Sequence, residues 1–198
     1  MFHMRPLLAV LACALLATGC ATAPVDGGAR GSRTADPEQL TQWMAKGRIA
    51  LSAQGEGGSG SFVWQQRSER TELTVRGPFG AGGLALVMDG ETIELADGAG
   101  LPLDGESARA ELERRLGLKL PLAELRYWML GVPAPGQPDS GPVQASAGPV
   151  PGFVQGGWVV SFEELKPQAG WSLPARLTAT SSGARVRIVV DDWMLPTP

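Results

Sequence analysis

Ser61-Phe62-Val63-Trp64-Gln65 and, shortly after it, Glu72-Leu73-Thr74-Val75-Arg76 decide the fold class of this chain. In each stretch apolar and polar residues alternate, so Phe62 and Trp64 share one face, as do Leu73 and Val75. A period of two is the spacing of a strand, whose successive side chains point to opposite sides. Residues Arg67 to Arg70 read as the turn between the two stretches. The alternation begins near Gly47 and continues through Leu84, Leu86 and Met88, then Ile93 and Leu95. Asp89-Gly90, between these last two runs, suits a tight hairpin with positive backbone angles, and Asp97 to Gly100 read as a further turn. Downstream, Trp158-Val159-Val160-Ser161-Phe162, Leu177 to Thr180, and Val186, Ile188 and Val190 are strands, with a Ser182-Gly183 turn and Trp193 at the end. The pattern predicts a mainly β domain, an antiparallel meander with one apolar and one polar face.

Helical sequence interrupts the meander. Ser107 is a candidate cap for a helix through Leu116, with Leu112 and Leu116 four apart and Gly117 as its stop. Pro121 opens a second helix, Leu122 to Leu130, closed by Gly131 and Pro133. Leu122, Leu125, Trp128 and Met129 form its apolar stripe. A short helix is expected to begin at Asp36-Pro37 and run toward Met44, and residues 134–152 read as loop.

The amino terminus carries an address. Arg5, the apolar run Leu7 to Ala17 and the small residues Ala17-Thr18-Gly19 read as a signal peptide over residues 1–19. Leu16-Ala17-Thr18-Gly19-Cys20 resembles the lipobox of bacterial lipoproteins, which makes Cys20 the expected site of acylation. Several acyl chains, at about 0.8 kcal/mol per buried methylene, make stable attachment. Ala21 stands where an aspartate would signal inner-membrane retention in that class, which implies the outer membrane. Residues 20–36, mostly small and polar with three glycines, suit a flexible lipidated tether, and residues 37–198 suit a single domain.

Composition excludes several functions. His3 and Cys13 fall within the signal and Cys20 is expected to be acylated, so the mature chain has no imidazole and no free thiol. Ser-His-Asp and Cys-His catalysis and His/Cys zinc sites are thereby removed, and neither an enzyme nor a cofactor is expected. Without Arg5 the balance is sixteen basic against twenty acidic residues, unlike a nucleic-acid footprint. Gly55-Glu56-Gly57-Gly58-Ser59-Gly60 has dinucleotide-loop spacing, but a strand pattern follows where a phosphate cradle needs a helix. A flexible hairpin connection is the better reading. Glu163-Glu164 and Asp191-Asp192 are adjacent within strands, so each pair should point to opposite faces and not converge for acid-base work.

Six tryptophans against one tyrosine leave two readings open. Phe62, Trp64, Trp128 and Trp158, with Met88 and Met129, fit a packed core. Joined by Leu73, Val75, Leu84, Leu86 and Val160, they equally fit the wall of an apolar cavity for a lipid. Arg76-Gly77-Pro78-Phe79-Gly80-Ala81-Gly82-Gly83 should break strand pairing and project a loop. Phe79 at its tip either folds back into the core or dips into a bilayer.

Several segments together resemble the LolB family of outer-membrane lipoproteins. They are Trp64-Gln65-Gln66, Gly77-Pro78-Phe79-Gly80, Leu120-Pro121-Leu122 and Leu125-Arg126-Tyr127-Trp128-Met129-Leu130-Gly131-Val132-Pro133, then Gly157-Trp158-Val159-Val160, Leu173-Pro174-Ala175 and Asp192-Trp193. The resemblance implies an incomplete, strongly curved antiparallel β-barrel, with helices covering its open side and an apolar cavity between. It implies a monomeric receptor on the periplasmic face of the outer membrane. Such a receptor takes acylated lipoproteins from a LolA-type periplasmic carrier and places them in outer-membrane lipid without cofactor or energy source. It also gives Pro78, Phe79 and Gly80 the place of a membrane-delivery loop. The alternative is a lipid-binding or structural outer-membrane lipoprotein that handles no protein cargo.

Overall fold

The computed structural model describes residues 36–77, 83–96, 102–136, 143–145 and 148–196, with 143–145 and 148–150 described by backbone alone. The strands are β1 (Gln42–Ala53), β2 (Glu56–Arg67), β3 (Arg70–Arg76), β4 (Gly83–Asp89), β5 (Thr92–Ala96) and β6 (Leu103–Asp104). Two helices follow, α1 (Gly105–Leu116) and α2 (Leu122–Met129). Then come β7 (Val143–Ala145), β8 (Gly148–Val150), β9 (Gly152–Gln155), β10 (Trp158–Gln168), β11 (Trp171–Ser181) and β12 (Ala184–Met194). Ten strands form one sheet in the order β6-β5-β4-β3-β2-β1-β12-β11-β10-β9, while β7 and β8 pair separately. The large sheet is antiparallel throughout and does not close, since β6 and β9 end it on opposite sides.

The alternation in sequence becomes register. Phe62 lies opposite Val75 and Trp64 opposite Leu73 across β2 and β3; Leu73 then meets Leu86, and Leu86 meets Leu95. All six of the innermost of these positions, Phe62, Trp64, Leu73, Leu86, Ile93 and Leu95, are buried. Cross-strand apolar pairs on one face stabilise the sheet, and each large side chain fully buried contributes about 1.5–3 kcal/mol. The other half of the same face is built by Val160, Phe162, Leu177, Val186 and Ile188.

A bulge joins the two halves. Lys46 pairs with Asp192 but Gly47 pairs with Val190, so Asp191 is the extra residue on β12. Val186, Ile188 and Val190 point to the core, and beyond the bulge the parity flips so that Trp193 packs edge-on against Trp43 at 5.3 Å. Asp191 and Asp192 are consequently both exposed, which corrects the expectation that they face opposite ways. Glycine is required at position 47: a Cβ there would lie 2.0 Å from the Val189 carbonyl oxygen and 3.0 Å from the Phe62 ring.

Four other expectations change. Asp36 does cap through its side chain, accepting from the Glu38 amide at 3.1 Å, but the helix is a three-residue 3-10 turn, Pro37–Gln39. Met44 is strand, because Trp43 and Ala45 alternate into the core and packing overrides a short helix signal. The Gly-rich run is mostly strand: only Gln54 and Gly55 turn, and β2 begins at Glu56. Helix α1 starts at Gly105 rather than after Ser107, and strands occupy residues 143–145 and 148–150 and begin again at Gly152, within the stretch 134–152 expected to be loop. The Asp97–Gly100 turn lies outside the described residues.

Both helices lie on the apolar face. Helix α1 packs against β5 and β6 through Ala108 and Leu112, and ends at Gly117, whose positive φ of 66° lets its amide donate to the Glu113 carbonyl. Helix α2 buries Leu125, Trp128 and Met129 and packs against β11. Among the described residues no helix is long and apolar enough to cross a membrane.

Candidate functional site: an aliphatic pocket beneath the helices

The sheet face and the helices do not meet everywhere. Ile49 and Leu51 of β1, Leu73 and Val75 of β3, and Leu84 and Leu86 of β4 line one side of an open pocket of about 280 Å3. Leu112, Arg115 and Leu116 of α1, the connecting Leu120, and Leu122 and Leu125 of α2 line the other. Among the described residues the wall is aliphatic apart from Arg115 and the glycines at 77 and 83, and no aromatic ring borders it. Apart from Arg115, a wall of this kind offers dispersion contacts and exclusion of water and no group that orients a polar ligand.

The structure sorts the eleven candidate wall residues into three groups. Leu73, Val75, Leu84 and Leu86 border the aliphatic pocket. Met88 and Trp158 border a neighbouring, more polar groove of about 440 Å3 that reaches Arg109, Lys119 and Glu124, and Trp128 borders a third with Trp158. Phe62, Trp64, Met129 and Val160 border none of these and pack in the core.

The tryptophans form two aromatic clusters, each tied by a glutamine that sequence reasoning passed over. Trp43 packs between Trp64, tilted at 5.6 Å, and Trp193, edge-on at 5.3 Å. Gln66, only 3% exposed, accepts from the Trp64 indole N–H at 3.1 Å and the Thr71 hydroxyl at 2.7 Å, and donates to the Ser68 carbonyl at 2.7 Å. In the second cluster Trp128 lies 6.4 Å from Phe153 and 6.2 Å from Trp158. There Gln155 accepts from the Trp128 indole N–H and the Ala134 amide and donates to the Ala134 carbonyl, each at 3.0 Å. Buried indoles need an acceptor, so a glutamine two residues after a strand tryptophan was the available signal for Gln66, whereas Gln155 is 27 residues from the helical Trp128 and had none. Arg126 is held by Glu69 at 2.8 Å and lies 4.7 Å over the Tyr127 ring, which fixes α2 to the β2–β3 turn.

The acidic pairs are structural. Glu163 accepts from the Thr178 hydroxyl at 2.6 Å and from Arg187 at 3.0 Å, while Asp191 pairs with Arg48 at 3.0 Å. Glu111 accepts from Arg114 and Arg115, and those hydrogen bonds lower its carboxyl to about 2.

Gly77 and Gly83 both border the aliphatic pocket. They bracket residues 78–82 in sequence, and Pro78, Phe79 and Gly80 lie outside the described residues. Cys20 lies outside them as well.

An open, wholly antiparallel sheet with two helices laid on its apolar face defines a half-open β fold. Its family is narrower than that. The family model described as outer membrane lipoprotein LolB matches residues 41–193, and the chain belongs to this family of outer-membrane lipoproteins. It is 32% identical over 175 residues to the outer-membrane lipoprotein LolB of Nitrosococcus oceani, covering 83% of this chain and 87% of that one. With the LolB of Halorhodospira halophila it shares 33% identity over 190 residues, 94% of each chain. Among solved structures, a LolA superfamily protein from Nitrosomonas europaea aligns with TM-score 0.46 at 11% identity, over 81% of this chain and 88% of that one.

Proposed function

We propose that this protein receives acylated lipoproteins from a LolA-type periplasmic carrier and places them in the outer membrane without an energy source. In this reading residues 1–19 are removed, Cys20 is acylated, residues 20–36 tether the domain, and the domain acts as a monomer without cofactor or covalent chemistry. The observation that carries it is the aliphatic pocket with Gly77 and Gly83 on its border.

The direction of transfer follows from partial coverage. Taking a methylene to fill about what one water does in the liquid, ~30 Å3, a pocket of 280 Å3 shelters roughly nine of them. A long acyl chain exceeds that, so its remainder stays at the open mouth. A bilayer buries every methylene at about 0.8 kcal/mol each, which leaves the membrane as the lower state. Phe79, one residue into the segment beyond Gly77-Pro78, is placed in this scheme at the contact between mouth and lipid surface.

The test is transfer. The mature chain with Cys20→Ala, mixed with a LolA–lipoprotein complex, should take over the cargo, since in this reading the anchor is not needed for acyl binding. Cargo remaining on LolA while free lipid is still bound would replace this reading with that of a lipid carrier.

A further inference from the structure

A second compartment, also about 280 Å3, opens beside the aliphatic pocket and shares Leu51, Arg115 and Leu116 with it. Its remaining walls include Ser52, Glu56, Gly57, Gly58 and Arg114, so an apolar chamber and a polar one meet at a common wall. That is the layout an amphiphile needs, with tails on one side and head on the other.

Two observations specify the head. The first is an unpaired strand edge. Strand β2 pairs with β1 along its whole length, from Ala53↔Glu56 to Gln42↔Arg67, but with β3 only from Ser61↔Arg76. Residues 56–60 therefore have no strand pairing on that edge among the described residues, although the Arg76 carbonyl at the end of β3 lies close against Gly60. Proteins guard such edges with Lys, Pro or a bulge, and Gly57-Gly58-Ser59-Gly60 has none of these. A Cβ at Gly58 would meet nothing within 4 Å, so the sheet face at that residue is open. The second observation is charge. Arg114 grips Glu111 through two hydrogen bonds of 2.7 and 2.8 Å, and Arg115 donates to the same carboxylate at 2.6 Å. With Glu56 also on the wall, the compartment is dipolar rather than cationic. It suits ester and amide carbonyls better than a phosphate, which calls for net positive charge.

Building on the carrier reading above, we propose that this compartment takes the polar part of the acylated cargo. The ester and amide carbonyls of its diacylglyceryl cysteine lie beside Arg114 and Arg115, and its first peptide residues add as a strand along residues 56–60. Chains seated in the leucine pocket bring the modified cysteine to the shared wall. A receptor for cargo of many sequences has only acyl groups and main chain in common to read. Strand addition supplies main-chain hydrogen bonds with no demand on side chains.

The test varies the ligand, leaving the fold of the protein untouched. Binding to the mature Cys20→Ala chain is compared for a dipalmitoylglyceryl cysteine amide, for the same molecule with a six-residue peptide, and for that peptide N-methylated at alternate amides. The extension should tighten binding about tenfold, the gain of one or two net hydrogen bonds, and N-methylation should abolish the gain. Shuffling the peptide sequence should change nothing, and amide exchange at residues 57–60 should slow only with the extended ligand. Equal affinity for the extended and bare ligands overturns the proposal and leaves the carrier reading standing. Failure of every acylated ligand to bind removes both. Protection of residues 57–60 without ligand, lost on deletion of residues 21–35 or on dilution, would assign the edge to the tether or to a second copy.

Discussion

Acyl-chain length is the sharpest lever on the pocket. If the aliphatic pocket holds the chain end-on, each added methylene gains about 0.8 kcal/mol, close to a fourfold tightening. The gain stops when the space is filled, and 280 Å3 sets that point at roughly nine carbons with ~30 Å3 for each. A series of single-chain acyl glycerols, titrated against the mature Cys20→Ala chain by calorimetry, should therefore tighten steeply up to about nine carbons and flatten beyond. The heat-capacity change should become more negative over the same range and then level, since apolar burial sets it. Filling the pocket should shift the break. Val75→Leu, a substitution on its wall, adds one carbon and should end the steep range earlier by about one methylene at ~30 Å3. A flat series from the start would mean the chain is not in this pocket. A steep rise continuing well past the break would mean that the helices move away and the pocket enlarges, refuting the partial-coverage account of downhill transfer.

Other consequences are independent of that series. Phe79→Glu should leave acyl binding intact while slowing release of lipoprotein into outer-membrane vesicles at least about tenfold, a charge at the interface costing more than 1.4 kcal/mol; release at the wild-type rate would remove Phe79 from delivery. Gln66→Leu strips the Trp64 indole N–H and the Thr71 hydroxyl of their shared acceptor inside the core. Urea unfolding should show a loss of about 2–4 kcal/mol, and a loss below about 1 would mean both groups find other partners. Glu111 is lowered from 4.5 to about 2 by its hydrogen bonds from Arg114 first and Arg115 second. A depressed carboxylate contributes stability above its unfolded value and loses it as pH falls through the folded one. The wild-type protein and Glu111→Gln should thus converge in stability between pH 4.5 and about 2, and carboxyl NMR should find the Glu111 midpoint near the lower limit.

The sheet was legible in sequence because burial on one face writes itself as alternation. Phe62, Trp64, Leu73 and Val75 were read as one face, and they are cross-strand partners. Helix α2 was equally clear, since Pro121 and Gly131 mark its ends and its stripe is unbroken. The bulge at Asp191 was not legible, because a bulge is a property of two strands and neither Gly47 nor Asp191 announces its partner alone. The same limit hid the division between core and pocket wall. Trp64 and Leu73 are direct partners on one face, yet Trp64 is sealed by Trp43 and Gln66 while Leu73 looks into open space. What separates them is where α1 and α2 come to rest, and periodicity does not carry that. Tryptophan and methionine fit core and cavity wall equally in sequence; Trp64 and Met129 pack in the core, Met88, Trp128 and Trp158 border more polar grooves, and mainly leucines surround the aliphatic pocket.

Photolabelling tests the central claim most directly. A lipoprotein carrying a diazirine near the end of one acyl chain, bound to the mature chain and irradiated, should give adducts on Leu73, Leu84, Leu86, Leu120 or Leu122, the walls of the aliphatic pocket. Adducts confined to Met88, Trp128 and Trp158, or spread over the exposed face of the sheet, would contradict it.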